Sequence, residues 1–306
     1  MKVTALAGGA GAAKFLDGLA AAMDPRALTI IGNTGDDTVM HGLHISPDLD
    51  IVTYTLAGIV DEVGWGIRGD TTHALDQMAA YGVDAWFTLK DRDLGTHLAR
   101  TTWLAEGAPL SEVTDRIRRA LGVPSAILPV SDDPVRTRIL TEEGAERQFQ
   151  EYFVRFGHRE RVQAIRYEGA DASAPAPGVV ESIEEAGRII ICPSNPALSI
   201  GPILSVPGIR KLLSERREDV WAISPIVGGR ALKGPAADLM RALGAERSAF
   251  GVGSVYEDFC GTLVIDNVDR SYADRIRTLG VEPVVADTIM RDRAEAAALA
   301  RLIISP

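Results

Sequence analysis

Four short runs along the chain, residues 3–7, 27–31, 188–192 and 220–224, are apolar and rich in β-branched residues. They lack the polar alternation of a strand with one face in water, so each predicts a strand of a parallel sheet covered on both faces. Around them, apolar positions recur at helical spacing over 13–23, 71–81, 91–106, 111–121, 235–243 and 293–303. Alternation of the two patterns predicts a doubly wound, mostly parallel, Rossmann-like α/β fold. The rhythm changes over 124–178, where Pro129, Pro134, Pro175 and Pro177 punctuate the chain and 147–155 and 161–167 alternate polar with apolar residues. That stretch predicts a smaller β-rich subdomain inserted between the two parts, 1–123 and 179–306, of a nucleotide-binding α/β domain.

Composition narrows the function. A chain of 306 residues with 46% hydrophobic content can bury a large core. A net charge of -10 argues against a nucleic-acid surface, which needs clustered Lys and Arg. A free nucleotide remains compatible, because loop amides and a metal ion can offset its charge. Cys192 and Cys260 have no paired spacing, so neither a disulfide framework nor a thiolate metal site is expected, and a reducing, cytoplasmic setting fits. Residues 1–7 are too short for a signal-peptide core, and no apolar run approaches a membrane span.

Candidate chemistry lies just after the strands. Gly8-Gly9-Ala10-Gly11-Ala12-Ala13-Lys14 lets backbone amides approach an anion at a helix N-terminus, and phosphate suits that geometry. The loop lacks the third glycine of a dinucleotide fingerprint and the Gly-Lys-Ser/Thr ending of a P-loop. After the second strand, Gly32-Asn33-Thr34-Gly35-Asp36-Asp37 ends in two carboxylates suited to a hydrated Mg²⁺, which takes one or two carboxylates plus water and phosphate oxygens. Asp48 and Asp50, in Ser46-Pro47-Asp48-Leu49-Asp50, offer a third acid, one of them serving as a helix cap and the other free for a metal or hydroxyl. Further on, Pro193-Ser194-Asn195-Pro196 and the 224–230 loop, with Lys233 and Gly234 behind it, present hydroxyl and amide groups to a base, ribose or phosphate. The four loops together point to one site at the carboxyl ends of the strands. Asp91-Arg92-Asp93 reads as a helix cap with local ion pairs. Trp65 and Trp86 are candidates to stack on a planar ring. The five histidines show no spacing that suggests zinc.

Taken in order, Gly8 to Lys14, Asn33 to Asp37, Ser46 to Asp50, Asp91 to Asp93, Ser131-Asp132-Asp133-Pro134 and Pro193 to Pro196 resemble the 2-phospho-L-lactate transferase family. The resemblance implies a step in making the deazaflavin coenzyme F-420. A GDP-activated phospho-acid (2-phospho-L-lactate, phosphoenolpyruvate or 3-phosphoglycerate) is joined to the terminal ribityl hydroxyl of the deazaflavin Fo, GMP leaves, and Mg²⁺ assists. It makes Asp37 and Asp50 the leading catalytic groups, with Asp36, Asp37 and Asp50 as metal ligands and Asp48 as an alternative. Gly9, Ala10, Gly11, Ala12 and Lys14 would face the donor phosphates, Asn33 and Asp48 would help form the substrate site, Ser194 and Asn195 would contact guanosine, and Asp50 and Lys90 fall at positions linked to Fo. A homodimer is also implied. A related nucleotide-sugar-binding regulator that need not catalyse shares the first two loops, but the 46–50 and 193–202 segments favour the transferase. A nicotinamide dehydrogenase would need a fuller glycine fingerprint and an acid ending the second strand, where this chain has Gly32-Asn33-Thr34.

Overall fold

The computed structural model describes residues 1–62, 64–231 and 239–305. Its centre is a seven-stranded sheet of β1 (Val3–Ala7), β2 (Leu28–Gly32), β3 (Ala126–Pro129), β4 (Arg188–Ile191), β5 (Val220–Ile223), β6 (Thr262–Asp266) and β7 (Glu282–Ala286). The spatial order is β3-β2-β1-β4-β5-β6-β7 and every pairing is parallel. Alternate residues of one strand serve two cores. Leu6, Ile31, Ile189 and Ile191 pack on one side of the sheet, and Ala5, Ala7, Ile30 and Ile190 on the other, which is why these strands read as continuous apolar runs.

The four expected strands are present, within a residue at each end. Three more escaped the pattern. β3 lies inside the stretch assigned to the insertion but pairs with β2 through Thr29↔Ala126 to Gly32↔Pro129, so the α/β domain extends past residue 123. Its Pro129 resembles loop punctuation, yet it is tolerated because β3 is the edge of the sheet. The insertion proper carries an antiparallel sheet of Glu146–Gln148, Arg136–Thr141 and Val162–Glu168.

Helix α1 (Gly9–Ala22) follows β1 directly, α2 is Pro47–Leu56, α3 is His73–Ala80, α4 is Asp91–Ala105 and α5 is Leu110–Ala120; the last helix is Arg293–Ile304. α1 begins at the glycines themselves, four residues before the apolar periodicity starts, because glycine offers no apolar side chain to reveal it. Of the helix expected over 235–243, the residues up to 238 lie outside the described residues, as do Lys233 and Gly234, and Met240–Leu243 is a short 3₁₀ turn.

Connections from β1 run to one side of the sheet and those from β4 to the other, so the strand order reverses between them. At such a switch point the two loops diverge and leave a crevice at the carboxyl ends of the strands. The loops are tied across it: Ser194 Oγ donates to the Gly8 carbonyl at 2.9 Å and accepts from the Gly8 amide at 3.4 Å. This closeness excludes side chains. A Cβ on Gly8 would stand 2.5 Å from Asp48 Oδ2, and one on Gly11 2.8 Å from the Pro193 carbonyl oxygen. Gly11→Ala is therefore expected to cost about 1–3 kcal/mol in urea denaturation; an alanine variant as stable as the parent would mean that the 193 loop yields freely.

Candidate active site

A cleft of about 540 Å³ opens at the switch point. Its lining includes Gly8 to Gly11, Pro193 to Asn195 and the aromatic side chains Trp65, Phe87, Phe149 and Phe153. Phe149 and Phe153 stack with centroids 5.4 Å apart, so the insertion supplies a wall of the cleft. Trp65 lines it as expected, whereas Trp86 lies under the Arg155 guanidinium, 5.7 Å from it, and Phe87 takes the place at the cleft. Asp36, Asp48 and Asp50 also line it.

Asp48 stands in the first turn of α2 but caps a different helix. Its Oδ1 accepts from the Gly9 amide at 2.9 Å, at the start of α1, and its Oδ2 accepts from Asn33 Nδ2 at 2.9 Å. The N-terminal amides of α1 favour a negative group there, and the Ala10 and Gly11 amides beyond Asp48 border the cleft. Asn33, wholly buried, also accepts from the Gly35 amide at 2.8 Å, which closes the 33–37 loop. Asn33 therefore shapes the loop rather than lining the cleft. Asn195 lines the cleft and uses its Oδ1 to cap the following turn through the amides of Ala197 and Leu198.

Other expected residues are placed differently. The Lys14 ammonium donates to the Arg291 carbonyl at 2.8 Å, one turn along α1 from the glycines, because its position on the helix turns it toward the 287–292 segment. Ala12 is buried in the core beneath the loop. Lys90 borders the cleft and pairs with Asp61 at 3.2 Å. Asp132 holds the start of α5 through the Ser111 amide and hydroxyl, and Asp133 accepts from the Ala174 amide, so that motif is scaffold. Asp91 serves α3 through the His73 and Ala74 amides, while Asp70 caps α4.

The carboxylates are electrostatically loaded. Burial pushes Asp37 up to about 7 against the opposing charge of Arg136 and a hydrogen bond from Ser46. Burial also raises Asp48 to about 6, against hydrogen bonds from Asn33 and Gly9. Asp36 is held well above the usual carboxylate range by burial and then by the charge of Asp48. Asp36 Oδ1, Asp37 Oδ1 and Asp50 Oδ2 are buried without a hydrogen-bond partner. Buried oxygens in want of partners fit a hard cation such as Mg²⁺. The set whose ligand atoms all lie within 4.8 Å of one another, however, is Asp50, Asp93 and His97, and Asp36 and Asp37 are not part of it.

The raised carboxyls carry a pH signature. Each binds its proton more tightly in the folded chain than in the unfolded one, where the pKa is about 3.9. Their contribution to stability is therefore complete below about pH 4 and is lost as pH rises through the folded values near 6 and 7. Protein kept in chelator is expected to lose unfolding free energy between pH 5 and pH 8, with a smaller loss in Asp37→Asn. Equal slopes in the two proteins would show that Asp37 is ionised throughout.

Asp93, His97 and Arg100 on α4 were not expected at the site. Their spacing on one helical face was visible in the sequence, but nothing local indicated that this face turns toward Asp50.

Against this geometry, residues 3–303 match the profile of the family described as 2-phospho-L-lactate transferase CofD. The chain belongs to this family. Similar whole-length relatives of the CofD-type chain include proteins named phosphoenolpyruvate transferase. The one from Streptomyces coelicolor is 41% identical over 98% of this chain and 96% of its own. Those from Kitasatospora aureofaciens and Mycolicibacterium smegmatis are 42% and 38% identical, each over 98% of this chain and over 96% and 97% of their own. Among solved structures, a UPF0052-family protein from Bacillus halodurans aligns with a TM-score of 0.65 at 16% identity, covering 99% of both chains, and shares the fold. Among the described residues of this CofD-family transferase, no helix is long and apolar enough to cross a membrane.

Proposed function

We propose that this chain transfers a phospho-acid moiety, with phosphoenolpyruvate as the preferred one, from its GDP-linked donor to the terminal ribityl hydroxyl of Fo, releasing GMP and forming the core of coenzyme F-420. The observation that carries the reading is one cleft lined by the glycine loop, by aromatic side chains and by buried carboxylates. The preference for phosphoenolpyruvate is supported by the name shared by relatives about 40% identical over nearly the whole chain.

The α1 amides would receive donor phosphates, and the aromatic walls would take the flat deazaflavin ring. The acceptor oxygen forms a bond to the phosphorus that carries the acid, the bond to the bridging oxygen breaks, and GMP leaves with that electron pair. Asp50 Oδ2, buried and without a partner, would orient the hydroxyl, whose proton passes to a cleft carboxylate. Asp50, with one of Asp37 and Asp36, would hold Mg²⁺, since the three carboxylates are not all within 4.8 Å of one another. Bound there, the ion would offset the negative charge of the donor phosphates. Catalysis then rests on positioning and charge stabilisation rather than on a covalent nucleophile.

Incubation with Fo and each of the three GDP-linked phospho-acids, with Mg²⁺ or with chelator, tests the reading by GMP release and Fo conversion. The expected result is Mg²⁺-dependent turnover, fastest with the phosphoenolpyruvyl donor. A folded protein that binds nucleotide but releases no GMP from any donor would instead be a binding regulator.

A further inference from the structure

Helix α4 places Asp93, His97 and Arg100 at positions i, i+4 and i+7, one above another on the face turned toward α2. On α2 the facing residues are Asp50 and Tyr54, themselves four apart. His97 is 1% exposed and Arg100 2%, so this polar cluster is buried and its groups must satisfy one another.

The hydrogen-bond directions can be assigned from one end to the other. Arg100 Nη2 donates to Asp50 Oδ1. Nη1 of the same guanidinium lies 3.1 Å from His97 Nδ1. A guanidinium only donates, so Nδ1 must accept, and the proton of a neutral imidazole then resides on Nε2. That edge faces Asp93 Oδ2 at 3.3 Å, and Asp93 Oδ1 accepts from the Tyr54 hydroxyl at 2.8 Å. Tyr54 is thus bonded to Asp93, and His97 to Arg100 and through it to Asp50 Oδ1, while His97 Nε2 stands 3.3 Å from Asp93 Oδ2 without making a hydrogen bond. Asp50 Oδ2 is left without a hydrogen-bond partner in a residue only 5% exposed that borders the cleft.

Two other readings of the cluster fit less well. A cluster that merely neutralised buried charge would be expected to satisfy both Asp50 oxygens, yet Oδ2 makes no hydrogen bond. A metal site on Asp50, Asp93 and His97 would need an imidazole lone pair, but Arg100 takes the one on Nδ1 and Nε2 carries the proton.

We propose that Asp93, His97 and Arg100 are positioning residues, a relay that fixes Asp50 with one oxygen held and the other presented to the acceptor hydroxyl. This rests on the transferase reading of Asp50. The hydrogen-bonded path from His97 to Asp50 runs through Arg100, and His97 Nδ1 itself stands 3.8 Å from Asp50 Oδ2, so the Nδ1 acceptor is the atom to test.

Two conservative variants separate the links. In His97→Asn the amide oxygen takes the place of Nδ1 and keeps the acceptor for Arg100; in His97→Gln the amide reaches toward Asp93 and that acceptor is lost. Turnover of His97→Gln is expected to fall about 10- to 100-fold, the range seen when outer-shell partners of a functional carboxylate are removed. KM for both substrates should be unchanged, as for an interaction used only in the transition state. His97→Asn is expected to retain most of kcat. Both variants turning over like the parent, or both losing activity in step with an equal fall in melting temperature, would overturn the proposal. Nitrogen-15 NMR of the parent protein gives an answer that does not depend on turnover: the Nε2–H tautomer is expected at His97, and an Nδ1–H or doubly protonated ring would refute the relay. Parent protein with this tautomer but no transferase activity would place the failure in the functional reading alone.

Discussion

Turnover of Asp50→Asn is expected to fall by about 10²- to 10³-fold, the usual loss when a preorganised electrostatic group is removed from a transition state. Asparagine keeps an oxygen that can accept from Arg100, so the local geometry is largely retained. What disappears is the negative charge of a buried side chain that borders the cleft and whose Oδ2 makes no hydrogen bond. Steady-state kinetics at a temperature where circular dichroism shows the variant folded will check this. Activity within a few-fold of the parent would remove Asp50 from the mechanism and move its role to Asp37 or Asp48.

Arg100→Met should give the largest loss of stability among single changes at the site. The guanidinium is 2% exposed and its salt bridge to Asp50 is buried on both sides. Removing one partner of a buried pair leaves the other charged and desolvated, which costs about 3–5 kcal/mol. Asp37 would suffer as well, because Arg100 is one of the cations that restrain its rise. Denaturant unfolding of Arg100→Met, of Asp50→Asn and of the double variant forms a cycle that isolates the coupling. The double variant is expected to regain much of the stability lost in Arg100→Met, since no unpaired carboxylate remains at position 50, while its turnover stays as low as that of Asp50→Asn. Additive losses across the cycle would mean that the two side chains do not act as a pair.

Together the two experiments separate folding from chemistry at the same residues. Arg100 anchors Asp50 Oδ1 in a buried setting, and the proposed chemistry uses the side chain so anchored. The elevated Asp36, Asp37 and Asp48 show what burial does to neighbouring carboxylates that lack so close a cation.

Much of this was legible along the chain. Strands such as 3–7 and 188–191 appear as apolar runs because both faces of the sheet are covered, and the glycines at 8, 9 and 11 mark where the chain turns from β1 into α1. Acids after the second strand and at the start of α2 were readable as site candidates; Asp36, Asp48 and Asp50 border one cleft, and Asp37 is not among its lining residues. These signals survive in sequence because they depend on residues within a turn or two of one another. β6 and β7 were missed although β6 is wholly buried, because a five-residue apolar run has no periodicity of its own to separate strand from helix.

Tertiary structure decided how the polar side chains are shared out. Asp48 looks like a cap for its own helix, yet it bonds the amide of Gly9, 39 residues earlier. Lys14 looks like a phosphate ligand but is turned to the Arg291 carbonyl. Asp93 and His97 looked like ordinary residues of a surface helix until α4 packed beside the 43–45 strand and brought them to Asp50. The sequence by itself thus determined the sheet, the loops at its carboxyl edge and the acids available there, because each follows from local spacing. Which acid caps, which pairs with arginine and which keeps an open oxygen was decided only by packing, because each of those contacts joins elements far apart in sequence whose relative placement no local pattern encodes.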